Sequence, residues 1–369
     1  MCSIIGPIMM SKTLLVGLPR LLQLLLLYGG GVAAAPLAMV QAPSFRLPVA
    51  AAVASEARNR TFCNPVNLAY RMHGKCRAAA DFTMVPWNGT YWLFTTDTQG
   101  GYWRSSDLVA WTLVMAQGLP ASPTAPTALV VNGTMYFTCI GCAFYSTTDP
   151  AAGAWKNLGG TGHYPDPMVL VDGNRWFMYS GCSPSTPGDM KTVELDPHNG
   201  FRQVGVSHPG VVPAPAHRGF EVPGDLNNLS ANKPYIEGSW VTKRNGTYYW
   251  QYAAPGTQYK SYADGLFTAT SPTGPWTYAD NSPVSHKPTG FLGGVGHSST
   301  FEDFAGQSWH ISTAALDVRD ASCGETPVAL LYTRVACRSN SVWQAISSAA
   351  RRCTQCAGMP MGTWQSKRI

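Results

Sequence analysis

Charge is what this sequence has least of. Asp, Glu, Lys and Arg make up 12% of its 369 residues, about half the usual share near 25%. Disordered chains need high charge and few aromatics, so disorder is excluded. Glu is scarce, which excludes a heptad-built coiled coil, and there is no strict Gly period, which excludes collagen. No Lys/Arg run reaches five residues and the formal net charge is only +6, so nucleic acid is not an expected partner. No comfortable apolar run of roughly 20 residues is available to span a bilayer. In their place stand 37 Gly, 28 Pro and 12 Trp, with aromatics at 11%. That composition describes a large, turn-rich, aromatic-rich all-β protein, either one large domain or two smaller ones.

The N-terminus carries Lys12 and Arg20, then an apolar stretch from Leu21 to Tyr28 and small residues from Gly29 to Ala35. This is the layout of a secretory signal peptide, taken here as residues 1–39 with an uncertain cut site between Ala33 and Ala42. A signal anchor is the alternative reading. The expected compartment is extracellular, with no stable membrane association once the signal is removed. Five Asn-x-Ser/Thr sequons occur, at Asn59, Asn88, Asn132, Asn228 and Asn245. Three are Asn-Gly-Thr at expected turns, so the turn alone accounts for them as well as a glycan does. Ten Cys are present. Nine remain after Cys2 leaves with the signal, an odd number that leaves at least one outside an intrachain bond. The pairs Cys139/Cys142 and Cys353/Cys356 read as disulfides or buried thiols rather than one shared zinc site.

A unit repeats along the chain. Phe82 to Trp87 runs through Asn88-Gly89 into Thr90 to Phe94, and Thr127 to Val131 runs through Asn132-Gly133 into Thr134 to Phe137. Met168 to Val171 passes Asp172-Gly173 into Asn174 to Tyr179, and Trp240 to Arg244 passes Asn245-Gly246 into Thr247 to Tyr252. Ser298 to Ile311 is a weaker fifth copy. Asn-Gly and Asp-Gly between strand-like runs are the strongest short hairpin signal, because such turns need positive φ. Each of the first four hairpins is followed by a turn that ends on an aromatic, at Trp111, Trp155, Phe201 and Trp276. Units of about 45 residues with some four short strands cannot bury their own faces, so they stack around an axis. The fold expected is a five-bladed β-propeller over residues 58–320, with the last blade incomplete or irregular. Residues 321–369 have little period and are either an irregular closing strand or a gene-prediction artefact.

Side chains at the start of each innermost strand point to a propeller's central funnel. Three acids stand there: Asp81 before the first hairpin, Asp166 before the third and Glu237 before the fourth. The second unit offers Ala125-Pro126 and the fifth Gly296-His297. Three carboxylates around one funnel suit glycosidic-bond hydrolysis: one deprotonates water, one protonates the leaving oxygen and one tunes the acid.

These segments resemble glycoside hydrolase family 43. The resemblance is carried by Ala80-Asp81, by Asp166-Pro167 with Tyr179-Ser180-Gly181, and by Ile236 to Trp240 with Asn245 to Tyr249. Asn64-Pro65, Gly101 to Leu108, Gln251 to Gln258, Tyr262 to Gly265 and Gly296 to Thr300 extend it over about residues 60 to 315. The resemblance implies an inverting hydrolase of β-xylosides or α-L-arabinofuranosides in plant-type carbohydrates. Asp81 matches the family's general base, Glu237 its general acid and Asp166 its pKa modulator. His297 matches a funnel histidine that in many members lies near a central calcium or water cluster. Histidine is a poor calcium ligand by hardness, so such an ion would be held through waters, and no cofactor is required. Trp103 and Trp240 are the candidates for sugar stacking, with core packing as the other reading.

Two departures from the family stand out. The family carries Asp-Pro where this chain has Asp81-Phe82, which frees φ and is expected to set a ring beside the base. The match fades beyond about residue 320, where Asp317 to Thr326 does not read as a last blade. Both departures motivate a second reading, a degenerate sugar-binding propeller without turnover. A fructan-type hydrolase is a third, disfavoured because Pro165 precedes Asp166 where an Arg-Asp-Pro triplet is wanted.

Overall fold

The computed structural model describes residues 68, 79–96, 100–160, 162, 164–182, 190–225, 234–286, 292–316 and 328–334. The signal segment 1–39, Asn59, Asn228 and the Cys353/Cys356 pair lie outside the described residues. Strands dominate, with one single-turn 3-10 element at Gly219–Glu221 among the described residues. Four antiparallel strands make the first blade: β1 (Thr83–Trp87), β2 (Thr90–Phe94), β3 (Gly101–Ser105) and β4 (Thr112–Met115). The second holds β5 (Thr127–Val131), β6 (Thr134–Thr138), β7 (Phe144–Thr147) and β8 (Lys156–Gly159). The third holds β9 (Met168–Asp172), β10 (Arg175–Ser180), β11 (Lys191–Asp196) and β12 (Arg202–Pro209). In the fourth, β13 (Glu237–Arg244), β14 (Thr247–Ala254), β15 (Ala263–Ala269) and β16 (Thr277–Tyr278) pair in order, and β17 (Ser285–His286) adds to β15. The fifth has three described strands, β18 (Leu292–Glu302), β19 (Ser308–Leu316) and β20 (Val328–Arg334).

The hairpins follow from their turns. At Asn88-Gly89, Asn132-Gly133 and Asn245-Gly246 both residues have positive φ (49 and 71°, 49 and 73°, 50 and 78°), the type I′ geometry whose twist matches the strands it joins. The third blade differs by one residue from the sequence reading. Asp172 pairs with Arg175, so the turn is Gly173-Asn174, with positive φ at Gly173 (62°). Glycine first is the type II′ solution.

Aromatics fill the seams between blades. Trp155 packs with Phe94, Tyr102 and Phe137 between the first and second blades, and Phe201 with Phe144, Trp176 and Val169 between the second and third. Trp276 packs against Tyr179 and Trp250 between the third and fourth, and Trp111 against Phe82, Trp103 and Phe301 between the fifth and first. Phe144 and Phe201 stack at 3.7 Å and 9°; such pairs add roughly 0.5–1.5 kcal/mol beyond their buried area. The seam between the fourth and fifth blades carries a buried polar set. Ser298 Oγ donates to Asp264 Oδ2 at 2.5 Å, Ser298 and Ser312 share a 2.8 Å hydrogen bond, and Gln251 Nε2 donates to the Ser298 carbonyl.

Neighbouring inner strands β1, β5, β9, β13 and β18 contact one another in a closed ring. Thr83 Oγ1 donates to the Pro126 carbonyl at 2.8 Å, and Gly238 N to Asp166 Oδ2 at 3.0 Å. The ring closes where Asp81 N donates to Thr313 Oγ1 (3.0 Å) and Tyr91 packs on Phe301 and Phe304. The propeller boundary expected at residue 320 leaves out β20, which pairs with β19 from Val328 to Arg334. Part of the segment read as irregular thus supplies a regular strand of the fifth blade. Cys139 and Cys142 are joined as a disulfide.

Candidate active site

The inner strands begin alike. Pairing places Thr83, Thr127, Met168, Trp240 and Ser299 opposite Phe94, Thr138, Tyr179, Gln251 and Ile311. Two residues before each stands one in the left-handed region: Asp81 (φ 56°), Ala125 (45°), Asp166 (46°), Gly238 (67°) and His297 (45°). For a non-glycine residue this conformation costs about 1–2 kcal/mol, and such strain collects at functional sites. Asp81 and Asp166 therefore hold equivalent positions, as the repeat suggests. Glu237 does not. Gly238 fills the fourth slot, and Glu237 sits one residue earlier, ahead of a register shift between Glu237 and Trp240. One extra residue in a strand is a β-bulge, which re-aims a side chain. The fifth blade has the same shift between Gly296 and Ser299, around His297.

Three of the slots and the bulge beside the fourth bring four titratable groups to one place. His297 Nδ1 lies 2.9 Å from Asp81 Oδ1, and Thr96 Oγ1 donates to Asp81 Oδ2 at 2.5 Å. Burial alone would raise the Asp81 pKa; the His297 charge and the hydrogen bonds from His297 and Thr96 outweigh it and hold the carboxyl below its usual 3.8. Glu237 receives two phenolic donors, Tyr262 on Oε1 (2.7 Å) and Tyr235 on Oε2 (2.9 Å). Even so its pKa is pushed up to about 7, first by burial and then by the negative charge of Asp166. Burial likewise raises Asp166, whose Oδ2 accepts from Gly238 N. His297 is the one cation among these four. Burial opposes its charge, but Asp81 and Asp166 prevail and raise its pKa to about 10.

Asp81, Asp166, Glu237 and His297 line a cavity of about 650 Å³. Its walls include Ile140, Cys182, Tyr235 and the Pro255–Tyr259 stretch. Phe82 turns the other way. It is 2% exposed and packs with Met84, Leu93 and Trp103 in the seam between the fifth and first blades, and Asp81 keeps the same left-handed φ as Asp166 before Pro167. The ring expected beside the base is therefore absent from the cavity wall. Trp103 is 1% exposed in that seam. Trp240 donates from Nε1 to Thr300 Oγ1 between the fourth and fifth blades. Neither tryptophan lines the cavity, and core packing accounts for both.

Sequence reading assigned no role to Tyr235, Tyr262 or Thr96. A signal for Tyr235 existed: residues two apart in an extended strand share a face, so it travels with Glu237. Tyr262 carries no such signal. Its ring fits because Gly296 lacks a Cβ, which would stand 2.7 Å from the Tyr262 ring. His297 gives Nδ1 to Asp81, and among the described residues no group of three His, Cys, Asp or Glu is placed to hold a metal ion directly.

Gly238→Ala tests the fourth slot. The added Cβ stands 2.9 Å from His297 Cγ at a φ of 67°. A stability loss of about 1–2 kcal/mol is expected from the backbone, with a drop of about tenfold in kcat, worth ~1.4 kcal/mol, from the displaced imidazole. Gly246→Ala is the control, with positive φ (78°) but nothing within 4 Å. It should lose comparable stability in thermal unfolding and keep its kcat; equal kcat losses in the two variants would exclude a role for the His297 contact.

A five-bladed propeller whose cavity holds two carboxyls with pKa values pushed in opposite directions is the apparatus of a glycoside hydrolase. The chain matches the pattern of "Glycosyl hydrolases family 43" over residues 77–333, more than half its length, and it belongs to that family. Solved structures agree on the fold. A thermostable family-43 glycoside hydrolase superposes with a TM-score of 0.60 at 19% identity, covering 76% of this chain and 95% of its own. A xylan β-1,4-xylosidase of Bacillus halodurans gives 0.54 at 16% identity, over 72% of this chain and 55% of its own. A β-D-galactofuranosidase of Aspergillus niger is 46% identical over 43 residues, 12% of this chain and 13% of that enzyme.

Proposed function

We propose that this glycoside hydrolase is secreted and cleaves β-xylosidic or α-L-arabinofuranosidic bonds in plant-type poly- or oligosaccharides by a single inverting displacement. The observation that carries this reading is the division of labour between Asp81 and Glu237. Asp81, held ionised by His297 and Thr96, is the general base. Each of its oxygens takes one donor, which leaves lone pairs to hold and deprotonate the attacking water. Glu237, with its pKa at about 7, is the general acid and delivers a proton to the leaving oxygen. Asp166 acts through charge, adding to the effect of burial in raising the Glu237 pKa to about 7. Xylose- and arabinose-directed activity rests on the family resemblance.

The test is a panel of nitrophenyl β-xylosides, α-L-arabinofuranosides and, because of the fungal relative's name, β-D-galactofuranosides. Proton NMR of the first-formed product reads the anomer. Inversion is expected, and a retained anomer would overturn the mechanism. The pH profile of kcat/KM should be a bell. Its acid limb lies below pH 3.8, where Asp81 gains a proton, and its alkaline limb near pH 7, where Glu237 loses one. An alkaline limb that persists unshifted in Glu237→Gln would assign it elsewhere.

A further inference from the structure

Both oxygens of Glu237 are gripped by tyrosines, but the two differ in standing. Tyr262 is 0% exposed and is not among the residues that line the cavity. Tyr235 is half-buried and lines the cavity. Oε2 is thus the oxygen whose phenolic donor lines the cavity.

Tyr235 is also tied down from behind. Its backbone N–H donates to the Glu221 carbonyl at 2.9 Å. Glu221 is 0% exposed, and both oxygens of its carboxylate accept hydrogen bonds. Oε1 accepts from Arg218 Nε (2.6 Å) and the Tyr252 hydroxyl (2.7 Å), and Oε2 from Ala214 N (2.6 Å). The Arg218 guanidinium also donates to the Val212 carbonyl and lies over the rings of Phe267 (5.3 Å) and Tyr278 (4.9 Å). The same stretch is stitched to the loop that carries Tyr262: Lys260 N donates to Asp225 Oδ1 (2.8 Å) and Ser261 Oγ to the Gly224 carbonyl (2.5 Å). A buried ion pair is a weak source of net stability. Here it anchors a connection whose far end touches the acid.

We propose that Tyr235 is a positioning residue for Glu237, held on target by the buried Arg218–Glu221 pair; the proposal rests on the glycosidase reading above. Tyr262 is enclosed and keeps Oε1, so the transferable proton is carried on Oε2. As that proton passes to the glycosidic oxygen, the C–O bond to the leaving group breaks and the negative charge appears on Oε2. The Tyr235 hydroxyl donates to that oxygen and stabilises the carboxylate as it forms. Asp166 from the third blade, Asp81 from the first and His297 from the fifth also act on Glu237 through charge, and Cys182 acts on Tyr235. None of these is altered by removing one hydroxyl.

Tyr235→Phe in the full chain is the primary test. A carboxylate that loses a donor becomes more basic. The alkaline limb of kcat/KM should rise by about one pH unit, and kcat should fall about tenfold with KM little changed. Glu221→Gln should shift the limb in the same direction by less, and Glu221→Gln combined with Tyr235→Phe should lose no more than Tyr235→Phe alone, the non-additivity of residues acting through one another. Arg218→Lys replaces Glu221→Gln if the latter does not fold. Carbon-13 NMR of the Glu237 carboxyl, assigned by its absence in Glu237→Gln, reads the same shift without turnover. A wild-type protein that hydrolyses no glycoside defeats the glycosidase reading but still reports the Glu237 midpoint. A midpoint unmoved by Tyr235→Phe, or full additivity with Glu221→Gln, overturns the proposal.

Discussion

Glu237→Gln should lower the hydrolysis of glycosides with poor leaving groups by ~10²–10⁴, the usual contribution of a placed acid or base. Its effect on unfolding should be small. With its pKa at about 7, the side chain holds its proton below that pH, so in melts at about pH 5.5 to 6 the amide changes the charge of the cluster little. It still accepts from Tyr262 through one oxygen, but its NH₂ cannot accept from Tyr235. The loss should shrink with a nitrophenol leaving group, which departs with little help from an acid. Kinetics on a nitrophenyl glycoside and the matching disaccharide, beside circular dichroism melts, check this. An equal loss on both substrates would show that Glu237 is not the proton donor.

Asp81→Asn should injure both rate and stability. The rate falls by a comparable ~10²–10⁴ because the water loses its base. The stability loss has a different origin: His297 stays buried without its ion-pair partner, a kind of change that costs about 3–5 kcal/mol. Its pH dependence has a definite sign. The folded pKa of His297 is raised from 6.5 to about 10, so its contribution is full below pH 6.5 and is lost as pH rises toward 10. Asp81 is depressed below 3.8, so its contribution is present above that pH and is lost as pH falls through the lower folded value. The gap in unfolding free energy between wild type and Asp81→Asn should therefore be widest between about pH 4 and 6.5 and narrow toward pH 10. Denaturant titrations at pH 5.5 and 9.5 measure it. A gap that widens with pH would mean that the pair is not charged as described.

The architecture could be read from the chain because each repeat announces itself locally. Asn88-Gly89 and its two counterparts need positive φ, and Trp111, Trp155, Phe201 and Trp276 mark the same stage of four blades. Local rules also placed Asp81 and Asp166 correctly, because both occupy one slot of an undistorted strand start. They placed Glu237 one residue off: counted back from the Asn-Gly turns, Asp81, Ala125 and Gly238 share one spacing and Glu237 lies one residue beyond it, brought in by a bulge in its pairing with β14. Trp103 and Trp240 show the opposite limit. Their residue type suits a sugar face or a seam equally, and only the packing partners decide. Phe82 was expected to disturb the base because it departs from the family; the alternation along β1 sends its ring to the seam instead. Glu221 and Arg218 are joined to the acid through the Glu221 carbonyl and Tyr235, a backbone contact that no pattern of residue types reveals.

The five left-handed slots bear on how a substrate can lie. Five identical slots would make a funnel with rotational symmetry, able to hold a ligand in five equivalent orientations. Here the slots hold two carboxylates, a methyl group, a glycine and an imidazolium, and the acid enters through a bulge beside one of them. The funnel thereby has one distinguishable direction across its mouth, from Asp81 to Glu237. On the proposed roles of Asp81 and Glu237, a sugar bound there would have an attacked face and a departing side before any chemistry begins, and broken pseudo-symmetry in the scaffold would set the polarity of cleavage.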